Sequence, residues 1–160
     1  MSGVPGGQPP RKVPLRLADH PFFQGLDPEL TAEAGRLAVE RRFATGEWLV
    51  RDGDPAASFY LVYHGKVALE VATAEKPHLT IQTVGPGEVL GWSWLVSPYL
   101  WRLDARALKP TQVLAIDGAR FREALAAHPE RGYQFLLRLL PILAQRLENT
   151  QIQLLDIHGL

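Results

Sequence analysis

The stretch FATGEWLVRDGDPAASFYLVYHGKVALEV, residues 43–71, decides the fold of this 160-residue chain. Short apolar runs at 48–50 and 59–62 and an alternating run at 67–71 predict β-strands, because the side chains of a strand repeat at every second residue. Glycines stand at the corners between these runs, where a positive φ angle or a close backbone approach excludes a β-carbon: Gly46, Gly53 and Gly65. Short strands at such regular spacing predict a sandwich or a barrel.

Helices are predicted on both sides of the strands. Asp27 precedes a proline, which is typical of a helix N-cap followed by proline in the first turn, and apolar residues recur at helical spacing as far as Ala38. Further strands are predicted at 79–81 and 113–116, and Asp117 is expected to cap a short helix. The predicted order of elements is a helix, a run of strands and closing helices.

The end of the sequence, after Pro129, has a helical pattern. Apolar residues recur there at every seventh position, with other leucines between them: Tyr133, Leu140, Leu147 and Leu154. This repeat predicts an amphipathic helix over residues 129–160 through which two copies of the chain form a homodimer. The alternative is one helix folded over its own domain. Pro141 lacks the N–H that would bond to Leu137, so a kink or a break is expected there.

Composition and charge exclude several classes of protein. Seventeen Lys and Arg residues balance seventeen Asp and Glu, so no overall positive field attracts nucleic acid or an anionic membrane. The absence of cysteine excludes disulfides, thiolate catalysis and cysteine-ligated metals. Residues 1–14 are rich in glycine and proline and predict a disordered leader, and no apolar run is long enough for a membrane span. We expect a cytoplasmic protein with no membrane contact.

Two further motifs extend the pattern of the opening stretch: HPFFQGL at 20–26 and VGPGEVLGW at 84–92. Together with residues 43–71 they resemble the cyclic-nucleotide-binding domain of the catabolite activator, of protein kinase A regulatory subunits and of nucleotide-gated channels. The resemblance covers nearly all of residues 20–150. It implies a mainly β fold with α-helices: an eight-stranded jelly roll, or double-stranded β-helix, over residues 15–128, with an N-terminal helix and C-terminal closing helices.

The resemblance also implies a ligand site in a short cassette between two strands. In the family a cyclic phosphate sits at a helix N-terminus beside an arginine, and a glutamate after the cassette glycine takes the ribose hydroxyl. The cassette glycine corresponds to Gly91, but the next residue is Trp92, which cannot accept a hydrogen bond from a hydroxyl. Counting forward from Gly91 gives Arg102 the phosphate position, whereas counting back from the last strand gives that position to Trp101.

These residues define the predicted site. We expect a small anionic ligand, with cyclic AMP or cyclic GMP as candidates and no other cofactor, at Gly91, Trp92, Ser93, Trp101 and Arg102. Ser93 is expected either to donate to the ligand or to cap the cassette helix. Arg102 is expected either to clamp the anion or to form a salt bridge with Asp104. Since Trp92 and Trp94 alternate about Ser93, one is expected to face the pocket and the other the core.

Catalysis and direct DNA recognition fit the sequence less well. A cupin-like metal enzyme would use the same jelly roll, but its site needs two or three clustered histidines, and only His64 and His78 could meet across strands. No Gly-x-Ser-x-Gly elbow or phosphate loop is present, so we expect neither enzymatic activity nor a metal. Transcription factors with this domain carry a helix-turn-helix module after the long helix, and this sequence ends at Leu160, so we expect no direct nucleic-acid contact.

The sequence thus predicts a non-catalytic regulatory module that senses a small ligand. The main alternative is a degenerate domain, in which the tryptophans fill the pocket and the surface binds an unidentified protein partner.

Overall fold

The computed structural model describes residues 15–159, and the predicted disordered leader lies outside them. In chain order the elements are a 3₁₀ turn at Leu17–Asp19, α1 (Pro28–Arg36), β1 (Ala38–Phe43), β2 (Trp48–Val50), β3 (Ser58–Val71), β4 (Leu79–Val84), β5 (Val89–Leu90), a 3₁₀ turn at Ser93–Leu95, β6 (Asp104–Asp117), α2 (Gly118–Ala127) and α3 (Pro129–Ile157).

The strands pair antiparallel in one sheet. Its order is β1-β6-β3-β4, while β2 pairs with β6 and β5 pairs with β3. This mainly β architecture, with one helix before the sheet and two after it, confirms the predicted jelly-roll fold. The described residues hold six strands and not the expected eight. The count is lower in part because β3 runs for 14 residues through positions where two strands were predicted. Strand β6 also has 14 residues and begins well before the strand predicted at 113–116.

The predicted corner at Gly65 lies inside β3 and does not separate two strands. The pairing of β3 with β6 shifts register between Val62 and Val67, so the ladder is irregular there although the strand continues. Gly65 has a φ angle of +98°, and a β-carbon on it would lie 2.6 Å from the carbonyl oxygen of Pro110. Glycine is therefore required by the close approach of the two strands.

The first helix begins as predicted but is shorter. The Asp27 carboxylate caps it by accepting a hydrogen bond from the backbone N–H of Glu29 at 2.8 Å. The helix ends at Arg36, and residues 38–43, which were not predicted as a strand, form β1. Most side chains of β1 are exposed, so this strand lacks the alternation of apolar and polar residues that reveals a half-buried strand.

Helix α3 closes the core and leaves much of its apolar surface uncovered. It continues through Pro141, so the predicted possibility of a break is wrong. Phe135 on α3 packs edge-on against Phe121 of α2, with ring centroids 5.1 Å apart, and against Phe22 at 5.5 Å. In contrast, the residues of the seven-residue repeat are exposed: Tyr133, Leu140, Leu147 and Leu154.

Candidate ligand-binding site

A cavity of about 420 Å³ lies between the sheet and α3. All five residues predicted from the sequence line it: Gly91, Trp92, Ser93, Trp101 and Arg102. The strands contribute Leu69, Ile81, Gln82 and Leu90, and α3 contributes Leu143, Arg146, Leu147 and Thr150. A concave, largely apolar cavity with a few polar groups is typical of a site for a small molecule.

Gly91 and Trp101 are in direct contact at the base of the cassette, the segment that leads from β5 to β6. Gly91 has a φ angle of +106°, and a β-carbon on it would lie 2.6 Å from Cη2 of Trp101. Trp101 is buried and packs against the ring of Tyr60, with centroids 6.3 Å apart and planes inclined by 28°. The indole therefore belongs to the core and at the same time lines the cavity.

The two tryptophans that flank Ser93 face different environments, as predicted. Trp92 lines the cavity and keeps 40% of its surface exposed, whereas Trp94 is completely buried. The indole N–H of Trp94 donates to the carbonyl oxygen of Gly91 at 3.1 Å. This bond satisfies the polar atom of a buried tryptophan and fixes the start of the cassette.

The cassette contains one 3₁₀ turn, Ser93–Leu95, where the resemblance implied a helix. Its two turn-forming bonds run from the N–H of Leu95 to the carbonyl of Trp92 and from the N–H of Val96 to that of Ser93. So few peptide units sum to a small dipole, so the turn contributes little to the stabilisation of an anion. The predicted helix N-terminus is present only as this single turn, so we expect cationic side chains to supply most of the positive potential of the site.

Arg102 supplies one of these charges. Its side chain is exposed and lines the cavity, and no carboxylate of residues 15–159 forms an ion pair with it. The predicted alternative, a salt bridge with Asp104, is wrong because Asp104 is already engaged. Its Oδ1 accepts from the backbone N–H of Asp52 at 2.8 Å and lies 3.3 Å from Nε of Arg51. Of the two candidates for the phosphate position, Arg102 has a charge free for a ligand and Trp101 is a packing residue.

Arg146 is a second arginine of the cavity, and the sequence analysis missed it. Its Nη2 donates to the backbone carbonyl of Val89 on β5. Burial lowers the pKa of the Arg146 guanidinium, and the negative charge of Glu88 opposes this effect. The sequence signal was present: Leu143, Arg146, Leu147 and Thr150 have the i, i+3, i+4, i+7 spacing of one helix face.

The cavity contains no acidic side chain from the described part of the chain. Glu88 lines a neighbouring cavity of about 430 Å³, which shares Gln82 and Arg146 with the first. Glu70 follows a lining residue on β3 but is itself turned to Arg106, whose Nη2 donates to Glu70 Oε1 at 2.6 Å. The candidate site therefore presents two cationic side chains, and its other polar side chains are neutral: Gln82, Ser93 and Thr150.

The histidines do not form a metal centre. His20 is buried, and both of its ring nitrogens are hydrogen-bonded, Nε2 to the carbonyl of Val62 at 2.9 Å and Nδ1 to the N–H of Phe22 at 3.1 Å. Nδ1 of His78 lies 3.4 Å from Glu70. Within residues 15–159 no group of three or more potential ligands could hold a metal ion. The helices described in this range also include none that is long and apolar enough to span a membrane.

Comparison with known proteins agrees with this fold. Residues 40–128 match the family described as the cyclic nucleotide-binding domain, and the chain belongs to that family. The cyclic AMP receptor protein of Thermus thermophilus is 31% identical over 134 residues, which are 84% of this chain and 60% of that protein. This chain therefore spans less than two thirds of that relative.

Solved structures show the same architecture. A protein from Geobacter metallireducens, named as a cyclic nucleotide-binding protein, is 30% identical with a TM-score of 0.73, and the match covers 82% of this chain and 96% of that one. The cyclic nucleotide-binding domain from Methylobacillus flagellatus gives a TM-score of 0.73 at 22% identity, over 84% and 75% of the two chains. The family is regulatory in character, and the chain accordingly has the fold of a signalling domain.

Proposed function

We propose that this domain is a non-catalytic sensor that binds a small anionic ligand in the cavity between the sheet and α3. One observation carries the proposal: the five predicted residues meet in one cavity whose lining, as far as residues 15–159 form it, holds two arginines and no carboxylate. A guanidinium without an ion pair, such as that of Arg102, gains a charge-assisted hydrogen bond when an anion arrives. Gly91, Trp92, Ser93 and Trp101 would form the walls against which that anion is held.

Cyclic AMP and cyclic GMP are the first ligands to consider. The family membership and the name of the Thermus thermophilus relative support this class. The position of Trp92 argues for an altered contact with the sugar, because its indole occupies the place where family members present a carboxylate. The sensor then relies on arginines for the phosphate and on neutral groups for the remainder of the ligand.

Trp94 would carry the effect of binding to the helices. It packs against Phe121 of α2 and Phe135 of α3, with ring centroids 5.8 and 5.7 Å away. Arg122 of α2 donates to the carbonyl oxygen of Trp94. A ligand that displaces the Ser93–Leu95 turn would therefore also displace α2 and α3, by as much as its affinities for the two arrangements differ.

Isothermal titration calorimetry with cyclic AMP, cyclic GMP and inorganic phosphate tests this function. We expect one of the cyclic nucleotides to bind, and Arg102→Ala to lower its affinity by at least about tenfold, since a hydrogen bond to a charged group is lost. Arg120→Ala removes an exposed arginine outside the cavity and is the matched control. Equal affinities of the Arg102 and Arg120 variants would contradict the role of Arg102.

The exposed apolar row of α3 supports a homodimer as part of the same proposal. Four residues at seven-residue spacing are exposed, and water is an unfavourable environment for such a stripe: Tyr133, Leu140, Leu147 and Leu154. A second copy of α3 has the complementary surface by symmetry. Sedimentation velocity should show a dimer that Leu140→Glu converts to monomer, while Leu108→Glu, at an exposed leucine of β6, leaves it intact. A monomeric wild-type protein would overturn this arrangement.

The degenerate alternative requires that the tryptophans fill the pocket. Trp101 does occupy part of it, against Gly91, but about 420 Å³ stays open beside the indole rings. The open volume favours a ligand over a self-filled module. The failure of every nucleotide and of phosphate to raise the melting temperature would instead favour a module that binds only a protein partner. The cytoplasmic location expected from the sequence belongs to this proposal as well.

A further inference from the structure

The composition of the cavity restricts what kind of anion it can hold. Most of its lining is aliphatic or aromatic, from Leu69, Ile81, Leu90, Trp92, Trp101 and Leu143. Its charged groups are Arg102 from the cassette and Arg146 from α3. The two charges therefore lie on separate elements that line the same cavity. A ligand that satisfies both features combines a desolvated apolar body with one negative group.

We infer that the preferred ligand is an organic anion with an apolar ring body, that Arg102 and Arg146 share its anionic group, and that a sugar hydroxyl adds little to its affinity. This inference rests on the proposed function and makes it more specific. It assigns a ligand-binding role to Arg146 and a chemical class to the ligand.

Arg146 has donors available for a ligand. One of its nitrogens, Nη2, bonds to the carbonyl of Val89, and no carboxylate within residues 15–159 forms an ion pair with it. A partly buried guanidinium without a direct ion pair retains an unfavourable desolvation cost, which the charge of Glu88 offsets only in part, in agreement with the lowered pKa of this group. An anion in the cavity reduces that cost, because it adds a direct ion pair to the weaker attraction of Glu88.

The hydroxyl groups of a ribose find no comparable partner. The side-chain acceptors in the lining are neutral, and the hydroxyl of Thr150 is not free to donate to a ligand because it donates to the carbonyl of Arg146 at 3.0 Å. A carboxylate that accepted a ribose hydroxyl would make removal of that hydroxyl cost about 10- to 150-fold in affinity. A hydroxyl that gains no new hydrogen bond on binding contributes little, and in that case its removal should cost no more than about threefold.

Two matched pairs of probes test the ligand class by calorimetry on the full chain. Cyclic AMP and 2′-deoxy cyclic AMP differ by the one hydroxyl, and indole-3-acetate and indole-3-acetamide differ by the one charge. We expect the two nucleotides to bind within about threefold of each other and the indole acid to bind at least about tenfold more tightly than its amide.

Variants of α3 test the role of Arg146. Arg146→Gln should weaken indole-3-acetate by at least about tenfold and leave the amide unchanged, whereas Arg146→Lys, which keeps the charge, should retain most of the preference for the acid. Arg138→Gln is the matched control, because Arg138 lies two turns earlier on α3 and also donates to a backbone carbonyl, that of Phe22 at 2.8 Å. The ratio of acid to amide affinity separates a charge effect from a general loss of folding.

The results distinguish failure of the inference about the ligand class from failure of the proposed sensor function. Loss of more than about threefold on removal of the 2′-hydroxyl, with tight binding of cyclic AMP, would overturn the inference and leave the sensor function standing. Equal affinity for the indole acid and its amide, or equal behaviour of the Arg146→Gln and Arg138→Gln proteins, would also overturn it. If none of the four probes binds but cyclic GMP or phosphate does, the inference fails and the sensor function stands. If these two also fail to bind, the proposed function itself fails, and the inference fails with it.

Discussion

The indole of Trp94 stacks on the ring of Phe59 with centroids 4.4 Å apart and planes inclined by 14°. This pair fixes the cassette to the first long strand, because Trp94 belongs to the Ser93–Leu95 turn and Phe59 to β3. Both side chains are completely buried. Trp94 thus anchors the cassette in the core, and it directly follows Ser93, which lines the cavity.

Trp94→Ala should destabilise the domain strongly. Removal of a buried aromatic side chain leaves a cavity and costs about 3–5 kcal/mol in the free energy of unfolding. Trp92→Ala is the matched control, since it removes the same side chain from a partly exposed position and should cost under about 1 kcal/mol. Urea unfolding followed by circular dichroism measures both values. Similar losses in the two variants would contradict the assignment of Trp94 to the core.

Gly91→Ala should strain the cassette. The new β-carbon would meet the Trp101 ring, and alanine rarely adopts the φ angle of +106° found there. We expect a loss of about 1–3 kcal/mol in stability, together with displacement of Trp101. Gly85→Ala, where a β-carbon meets no atom within 4 Å, should be tolerated. Urea midpoints and near-ultraviolet circular dichroism report the two effects, and a silent Gly91→Ala would show that the contact is easily relieved.

His20 should make the fold sensitive to mild acid. Burial lowers the pKa of His20 below its ordinary value of 6.5, and its hydrogen bond to Val62 only partly opposes the shift. The unfolded chain therefore binds a proton more readily than the folded one. The stability from neutral His20 is fully present above about pH 6.5 and is lost as the pH falls through the lowered pKa.

The comparison of the wild type with His20→Gln checks this pH dependence. The variant should be less stable at pH 7.5, because two buried hydrogen bonds are altered, but its stability should fall less between about pH 7.5 and pH 5.5. Urea unfolding at the two pH values gives both numbers. A fall of equal size in the two proteins would assign the pH dependence to other groups.

The ion pair between Glu70 and Arg106 should behave as a buried pair. Glu70 is 1% exposed, and neither its Oε2 nor Nε of Arg106 has a hydrogen-bond partner. Arg106→Met should therefore cost roughly 3 kcal/mol, because it removes the arginine from a buried carboxylate and leaves only His78, 3.4 Å from Oε2, beside it. The double variant with Glu70→Met should recover at least about 1 kcal/mol of this loss, since both desolvation costs disappear. A double variant less stable than Arg106→Met alone would contradict the prediction.

Local sequence signals predicted the fold well where neighbouring residues alone determine the structure. Asp27 and Asp117 cap helices as expected, because an acidic side chain before a first helical turn has few other roles. The signals failed where two strands meet. Gly65 was interpreted as a corner, but the glycine serves a close contact with β6, a segment more than forty residues away in the sequence. The residues that neighbour Gly65 in the sequence give no indication of such a contact.

The candidate site was predicted in part, for similar reasons. The cassette residues from Gly91 to Arg102 are contiguous enough to be recognised as a unit. Arg146 belongs to an element more than forty residues further on, and the long helix contains other arginines with different roles. Arg138, for example, bonds to the backbone near the first helix. Only the packing of α3 against the sheet distinguishes one arginine from the other.

Leu147 belongs both to the lining of the cavity and to the exposed apolar row of α3. Occupancy of the cavity and association of two chains would then draw on one side chain, and the two equilibria must influence each other equally in both directions. The dissociation constant measured for a ligand should therefore change with the concentration of the protein itself. A titration at a single protein concentration would therefore give only one value of a dissociation constant that varies with that concentration.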